Sequence, residues 1–376
     1  MIKDARLHNV PSLRFPEFSG EWECVPLSTY AKKITEKNKG NKIKNVLCNS
    51  ATQGIVPQSE YFDREIANNE NTDGYYVVRN QDFVYNPRKS VSAPYGPVNI
   101  YNGEDDGIIS PLYLCMKISG IDKNYLLHYF KSPAWYPYIY QNGDSGVRHD
   151  RVSIKDEVFL AMPVSVPNGD EQRKIAKFLD AINERIATQN KIIEEQESLL
   201  KSLRDKLLNQ YSSFSTQCRL GDILCIGNGK DYQHLNEGDI PVYGTGGLMC
   251  HVNESLYDGE SVCIGRKGTI NKPIFLKGRF WTVDTLFYTH SYKGVLPRFC
   301  YHLFCTIDWL TYNEASGVPS LSKSTIEKIP ILIPTIEMQG KIVQILDTIE
   351  EKVDTDRKTL QNYQNQKAYL LSRMFI

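Results

Sequence analysis

From Ile175 onward, apolar side chains return at alternating steps of four and three: Ile175, Leu179, Ile182, Ile186, Ile193, Leu200, Leu203 and Leu207, with Gln189 and Gln196 on the same seam. The frame reappears at Ile342, Leu346, Ile349, Val353, Leu360, Leu370 and Met374, interrupted by Asp356, Tyr363 and Lys367. A seven-residue repeat kept this long predicts two extended helices, each with a narrow stripe. Such a stripe suits packing along one partner helix rather than burial in a globular core. No proline or glycine interrupts either helix after Gly340, and each is expected to run about 60 Å at roughly 1.5 Å per residue. A polar residue at the matched positions Gln189 and Asp356 can fix register at some cost in stability; the alternative is a solvated stretch where the helices splay. Two amphipathic core helices left by an old duplication are the plainer reading of the whole pattern.

The helices open in nearly the same words. "GDEQRKIAKFLDAINERI" starts at Gly169, and "IEMQGKIVQILDTIEEKV" repeats its Gln, Lys-Ile, Leu-Asp and Ile 167 residues later. Upstream, "FLAMPVSVP" and "KIPILIP" both read as short apolar strands closed by proline, which a strand tolerates at its edge. The chain therefore reads as globule, long helix, globule, long helix, with boundaries at 1–168, 169–211, 212–335 and 336–376. "WECVPLSTYAKKI" and "QCRLGDILCIGNGK" begin the two globules with a strand or turn, Leu27 or Leu220, and a short helical turn. "YLLHYFKSPAWYPYIY" and "LPRFCYHLFCTIDWLTY" are matching aromatic helical stretches, followed by "NGDSGVRHDRVSIKDE" and "NEASGVPSLSKSTIEKI". The interiors differ, but both are rich in β-branched residues, tyrosine and glycine and predict short strands with tight turns. The class is α/β: two mixed α/β domains joined by two long helices, with an internal pseudo-two-fold repeat. Because Glu171 becomes Met338 and Arg173 becomes Gly340, the second helix is expected to fray or dock less tightly at its start.

The chemistry is thin. No HExxH, GxSxG or kinase pattern occurs, and "GNGKDY" and "YGTGG" lack the spacing of nucleotide-binding loops. "NPRK" at 86–89 begins like the Asn-Pro-Pro-aromatic motif of adenine methyltransferases, but Arg88 breaks it. Nine cysteines are scattered without a CxxC pair. His251 and His302 have no matching ligand set, so buried reduced thiols fit better than zinc. No catalytic residue and no metal are expected. Formal net charge is zero, and acidic and basic residues balance within each segment. That argues against a non-specific nucleic-acid binder, whose affinity comes from phosphate neutralisation. It leaves room for a reader whose basic residues gather on one face. The 376 residues contain no apolar run long enough for a membrane span and no signal-like N-terminus, so a cytoplasmic location is expected.

Basic and amide side chains interleaved with aromatics remain. The first globule offers Arg79, Asn80, Gln81, Tyr85, Asn86, Arg88, Lys89 and Tyr95, then Gln141, Asn142, Arg148, His149 and Arg151. The second offers Tyr243, Thr245, Arg266, Lys267, Trp281, Asn313, Ser316 and Lys323. Arginine or lysine can fork onto guanine, and asparagine or glutamine onto adenine, while glycine and serine amides can hold phosphate. Taken singly, each is more often an ordinary solvated side chain.

At this point the chain resembles the specificity subunit of type I restriction–modification systems. The carriers are "PVSVPNGDEQRKIAKFLD" and "PILIPTIEMQGKIVQILD", the two Ser-Gly-Val segments, and "IPVYGTGG" with "SVCIGRKGTI". The resemblance implies two target-recognition domains, each reading one half of a split site on double-stranded DNA. It implies an antiparallel coiled coil that sets the gap and docks two modification (methyltransferase) subunits. S-adenosylmethionine would sit on those partners, and ATP and Mg²⁺ on restriction subunits; this chain itself would hold no cofactor. The rival reading is a non-enzymatic coiled-coil scaffold tethering two modules for protein or sugar ligands. A lone DNA-modifying enzyme with an unrecognised site also stays open.

Overall fold

The computed structural model describes residues 9–61, 72–144, 150–210 and 216–376. They fall into two compact units. Unit 1 is the chain up to Thr188 together with Leu360–Ile376, and unit 2 is Gln189–Thr359. The division lies inside both long helices.

In unit 1 the strands are β1 (Glu23–Pro26), β2 (Ala31–Lys33), β3 (Leu47–Ser50), β4 (Gly54–Pro57), β5 (Tyr76–Val78), β6 (Phe83–Tyr85), β7 (Val98–Ile100), β8 (Gly107–Ile109), β9 (Leu114–Ile118) and β10 (Pro163–Val166). The helices are α1 (Gln58–Tyr61), α2 (Lys123–Lys131), α3 (Tyr136–Asn142) and α4 (Asp156–Leu160), followed by α5 (Gly169–Gln210), which continues into unit 2. An antiparallel sheet in the order β2-β9-β6-β7 forms the centre. Strand side chains alternate in direction, so Phe83 and Tyr85 enter the main core with the α2 and α3 aromatics, while Val84 joins a smaller cluster with Leu47 and Ile109. Trp135, Tyr85, Phe130 and Phe159 pack ring against ring at 4.4–6.2 Å.

Unit 2 contains β11 (Thr216–Arg219), α6 (Leu220–Ile223), β12 (Cys225–Asn228), β13 (Ile240–Gly244), β14 (Gly247–Val252), β15 (Tyr257–Gly265), β16 (Ile274–Thr282), β17 (Leu286–His290), α7 (Pro297–Phe304), α8 (Lys323–Glu327), β18 (Pro330–Ile333) and α9 (Ile336–Arg373), whose end belongs to unit 1. Its sheet runs β12-β17-β15-β16-β13-β14, antiparallel except for β13 with β16. Here too the faces divide: Val262 and Ile264 enter the main core, and Cys263 the opposite cluster. Each unit pairs its first strand with the strand before its long helix, Val25 opposite Val164 and Cys218 opposite Ile331. Leu27 and Leu220, fully buried, follow as expected.

The long helices form as the heptads predict, but the stripe is not simply a two-helix seam. In unit 1, Ile175, Leu179 and Ile182 share one core with Trp22, Tyr125, Leu370 and Met374, and Ile186 packs at its margin. In unit 2, Ile342, Leu346 and Leu200 lie in the core with Phe299 and Ile326, flanked by Leu203, Leu207 and Ile349. The expectation that the helices stay out of globular cores is thus corrected. The globules are small, so each recruits helix surface to complete its apolar interior. Farther along the same stripe in unit 2, Ile193 and Val353 are buried, and in unit 1 Leu360 is half-buried. Met374 falls just past the end of α9. Within unit 2 the pair runs antiparallel: Gln196 Nε2 donates to Asp356 Oδ2 at 2.9 Å, Arg357 meets Glu197 at 2.6 Å, and Arg204 meets Glu350 at 2.9 Å. Gln189, 9% exposed, reaches the Asp356 carbonyl, so the polar seam positions pair rather than splay. The start of α9 is docked by buried side chains. Gln339 is fully buried there, and Ile342 follows at 1% exposure.

Candidate nucleic-acid interface

The repeated glutamine anchors each long helix. Gln172 Nε2 donates to Pro167 O at 2.8 Å while its Oε1 accepts the Asp122 amide at 2.9 Å. Gln339 repeats both bonds, to Pro334 O at 2.9 Å and from Leu296 N at 2.8 Å. Each aromatic helix is then locked by a tryptophan, with Trp135 Nε1 on Phe130 O and Trp309 Nε1 on Phe304 O, and by a histidine, with His128 on Asp180 and His302 on Asp347. This frame carries the loop after each aromatic helix back to the sheet.

There the loop meets a basic turn. In unit 1, the turn leaving β6 bridges Arg88 to Arg151. In unit 2, the turn leaving β15 bridges Lys267 to Ser320. A cleft opens beside each. The first, about 300 Å³, is lined by Asn49, Thr52, Asn86, Arg88, Lys89, Ser90 and Ser92 among others. The second, about 680 Å³, is lined by Asn228, Arg266, Lys267, Glu314, Ser320, Ser322 and Lys323 among others. Arg88, Arg266 and Lys267 are exposed, and none of these three, nor Lys89 or Arg151, makes an ion pair among the described residues. The Arg266 guanidinium lies over the Phe287 ring at 5.9 Å. Arg151 Nε is buried with no hydrogen-bond partner among the described residues. Exposed cations outside ion pairs, beside hydroxyls and amides, suit phosphate oxygens and base edges, while in the second cleft Glu314 shares the rim and Lys323 pairs with Glu327 at 3.7 Å.

Not every expected residue joins these clefts. Tyr85 is 2% exposed, stacked on Phe159, with its hydroxyl on Tyr95 O; burial raises its pKa. Trp281, 6% exposed, spends its indole N–H on Lys230 O. Both are core residues, because the inward face of a strand takes its bulkiest rings; the expectation that they contact DNA is corrected. Arg79 forks onto Glu36 at 2.7 and 2.8 Å and also faces Asp106, which raises its pKa; it closes a turn with Asn80 and with Gln81, whose φ is +70°. Asn313 ties its own loop through Ser320 N and Ala315. Asn142 donates to Tyr138 O, while Gln141 and Ser316 are exposed. Tyr95 packs on Tyr136. Tyr243 is half-buried, and Thr245 lines a different cleft with Asp231 and Asp284. Arg148 and His149 lie outside the described residues.

Sequence spacing missed several participants. Asn49 sits under the first cleft in a buried amide network, accepting from Asn99 Nδ2 at 2.6 Å and donating to Val84 O at 2.7 Å; nothing in "LCNS" announces it. Lys32, Lys33, Lys117 and Lys123 line a third cleft with Arg79, brought together from β2, β9 and the start of α2. His302, Asp347 and Glu350 place possible ligand atoms within 4.8 Å of one another, a grouping hidden by their separation in the chain. Arg298 bonds both carboxylates, and Arg204 bonds Glu350 and donates to His302 Nδ1 at 3.2 Å. An arginine cannot accept, so His302 Nε2 carries the proton toward Asp347. Burial, with help from Arg204, lowers the His302 pKa to about 4. The cluster is a charge-balanced network with a neutral histidine.

No helix among the described residues is long and apolar enough to cross a membrane. The specificity subunit of the type I restriction enzyme EcoprrI from Escherichia coli is 24% identical over 196 residues, 48% of each chain. A Haemophilus influenzae protein, provisionally named as a type I restriction enzyme specificity subunit, is 27% identical over 116 residues, 30% of each chain. The matches thus span half or less of these relatives' length. The crystal structure of a type I restriction–modification S subunit from M. genitalium superposes with a TM-score of 0.62 at 16% identity, covering 98% of this chain and 99% of that one, which shows a shared fold. The family model for the type I restriction modification DNA specificity domain matches twice, over residues 21–198 and 215–363, and the chain belongs to that family.

Proposed function

We propose that this chain is the DNA-recognition subunit of a type I restriction–modification assembly and is not itself an enzyme. Each unit reads one half of a split site, and the helices set the gap and dock two modification subunits. The observation that carries this reading is the doubled family domain with a cation outside any ion pair among the described residues, Arg88 in one copy and Lys267 in the other, at the same place beside a cleft. A scaffold for other ligands has no need for matched cations of this kind. S-adenosylmethionine belongs to the modification subunits, and ATP with Mg²⁺ to restriction subunits. The assembly is cytoplasmic.

The test is to co-express the chain with its methyltransferase partner and map methylated adenines across the host genome. A split motif with a fixed gap is expected. Exchanging residues 1–168 for those of a relative changes one half only, and one heptad added to α5 changes the gap. Change in both halves after the exchange defeats the two-reader assignment.

A further inference from the structure

We propose that Arg88 and Lys267 are the paired phosphate anchors of the two units, holding duplex without reading its sequence; this rests on the DNA-reading assignment above. The two residues occupy one place in a repeated backbone frame. In unit 1, Lys89 N donates to Asp150 O at 2.8 Å and Val152 N to Pro87 O at 2.9 Å. In unit 2, Gly268 N donates to Pro319 O at 2.8 Å and Leu321 N to Arg266 O at 2.9 Å. The bridges Arg88–Arg151 and Lys267–Ser320 sit at the centre of each pair of bonds. The flanking positions differ across the repeat: Pro87 against Arg266, Lys89 against Gly268, Arg151 against Ser320. Basic charge is shared only at the central position. Two units that read different bases still meet the same phosphate backbone, so the shared charge serves the shared contact and the differing neighbours serve selection.

The local chemistry agrees. Both side chains are exposed, neither makes an ion pair among the described residues, and each borders a cleft with hydroxyls on its rim, Ser90 and Ser92 or Ser320 and Ser322; Glu314 also lines the second cleft, where it accepts from Ser322 Oγ at 2.7 Å. A guanidinium and an ammonium are poor substitutes for each other in a bidentate fork onto a base, but both neutralise a phosphate. Arg88 against Lys267 is therefore the exchange a phosphate contact tolerates.

The experiment measures binding of the full chain, with its methyltransferase partner, to duplex carrying the mapped split site over a range of salt. Wild-type protein must first prefer that site over scrambled duplex; without that preference the DNA-reading assignment itself fails. With it, Arg88→Ala and Lys267→Ala are each expected to lower the slope of log affinity against log salt by about 0.9. Each weakens binding about five-fold near 0.15 M salt, by the same factor on every single-base variant of the site. Arg88→Lys and Lys267→Arg restore both slope and affinity. An unchanged slope, or a preference altered at one base position, overturns the proposal.

Discussion

The two units share a frame and differ in what surrounds it. In unit 2 the aromatic-helix histidine, His302, is wired to Asp347 and Arg204, with Arg298 and Glu350 completing the network. In unit 1 its counterpart His128 meets Asp180, and Asn124 stands where unit 2 has Arg298. Lys131 and Lys367 approach instead; burial, aided by their mutual repulsion, pushes Lys131 down to about 8. At the helix start the contrast reverses. Glu171 is fully buried and paired with Arg14 at 2.7 Å, while Met338 takes that place in unit 2. What survives in both copies is the set of bonds that fixes chain direction: a glutamine on a proline carbonyl, a tryptophan on a helix carbonyl, a histidine on an aspartate. Charge around that set has drifted, because any balanced arrangement preserves the frame.

The largest expected effects test the sameness. Trp135→Ala and Trp309→Ala each empty a site that is 1% exposed, and each should destabilise its own unit by about 4 kcal/mol. Hydrogen exchange read on unit 1 and unit 2 peptides separates the two; a loss in one unit less than half that in the other breaks the equivalence. Arg14→Ala leaves the Glu171 carboxylate buried without its partner and should cost about 3 kcal/mol in unit 1 alone. Adding Glu171→Met, the unit 2 solution, should recover most of it in urea unfolding; no recovery means the contact matters for another reason.

Smaller effects sharpen the contrast. Gln172→Ala and Gln339→Ala each strand a buried amide and a proline carbonyl, for about 2 kcal/mol apiece by urea denaturation. His302 supplies the pH dependence. Its folded pKa lies near 4, below the usual 6.5, so the unfolded chain binds more protons in that window. Stability of unit 2 should fall as pH drops from about 6.5 toward 4, by roughly 1–2 kcal/mol at pH 5. His302→Gln should flatten that part of the profile; an unaltered acid slope assigns it to other groups.

Much of the plan was legible beforehand. The heptads marked both long helices, the doubled "LD" and proline-closed strands marked the repeat, and Leu27 and Leu220 marked the first buried turns. These are local signals: periodicity, caps and breakers act within a few residues, and each copy repeats them. Arg88, Lys89, Arg266, Lys267 and Lys323, all candidates from the sequence, line the two clefts. Tyr85 and Trp281 were misplaced because a strand in a sheet covered on both faces carries no alternation that tells a buried ring from an exposed one.

By itself, then, the sequence determined the order of elements, the internal duplication and the partition of apolar surface along each helix, since these follow from spacing between near neighbours. Only the tertiary structure decided which cations stand free. Arg79, Arg88 and Arg266 read alike in the chain, yet Arg79 is consumed by Glu36 and Asp106 while the other two keep no ion-pair partner. Whether a charge is spent on a carboxylate or left for a ligand depends on residues dozens of positions away, and folding alone brings them within reach.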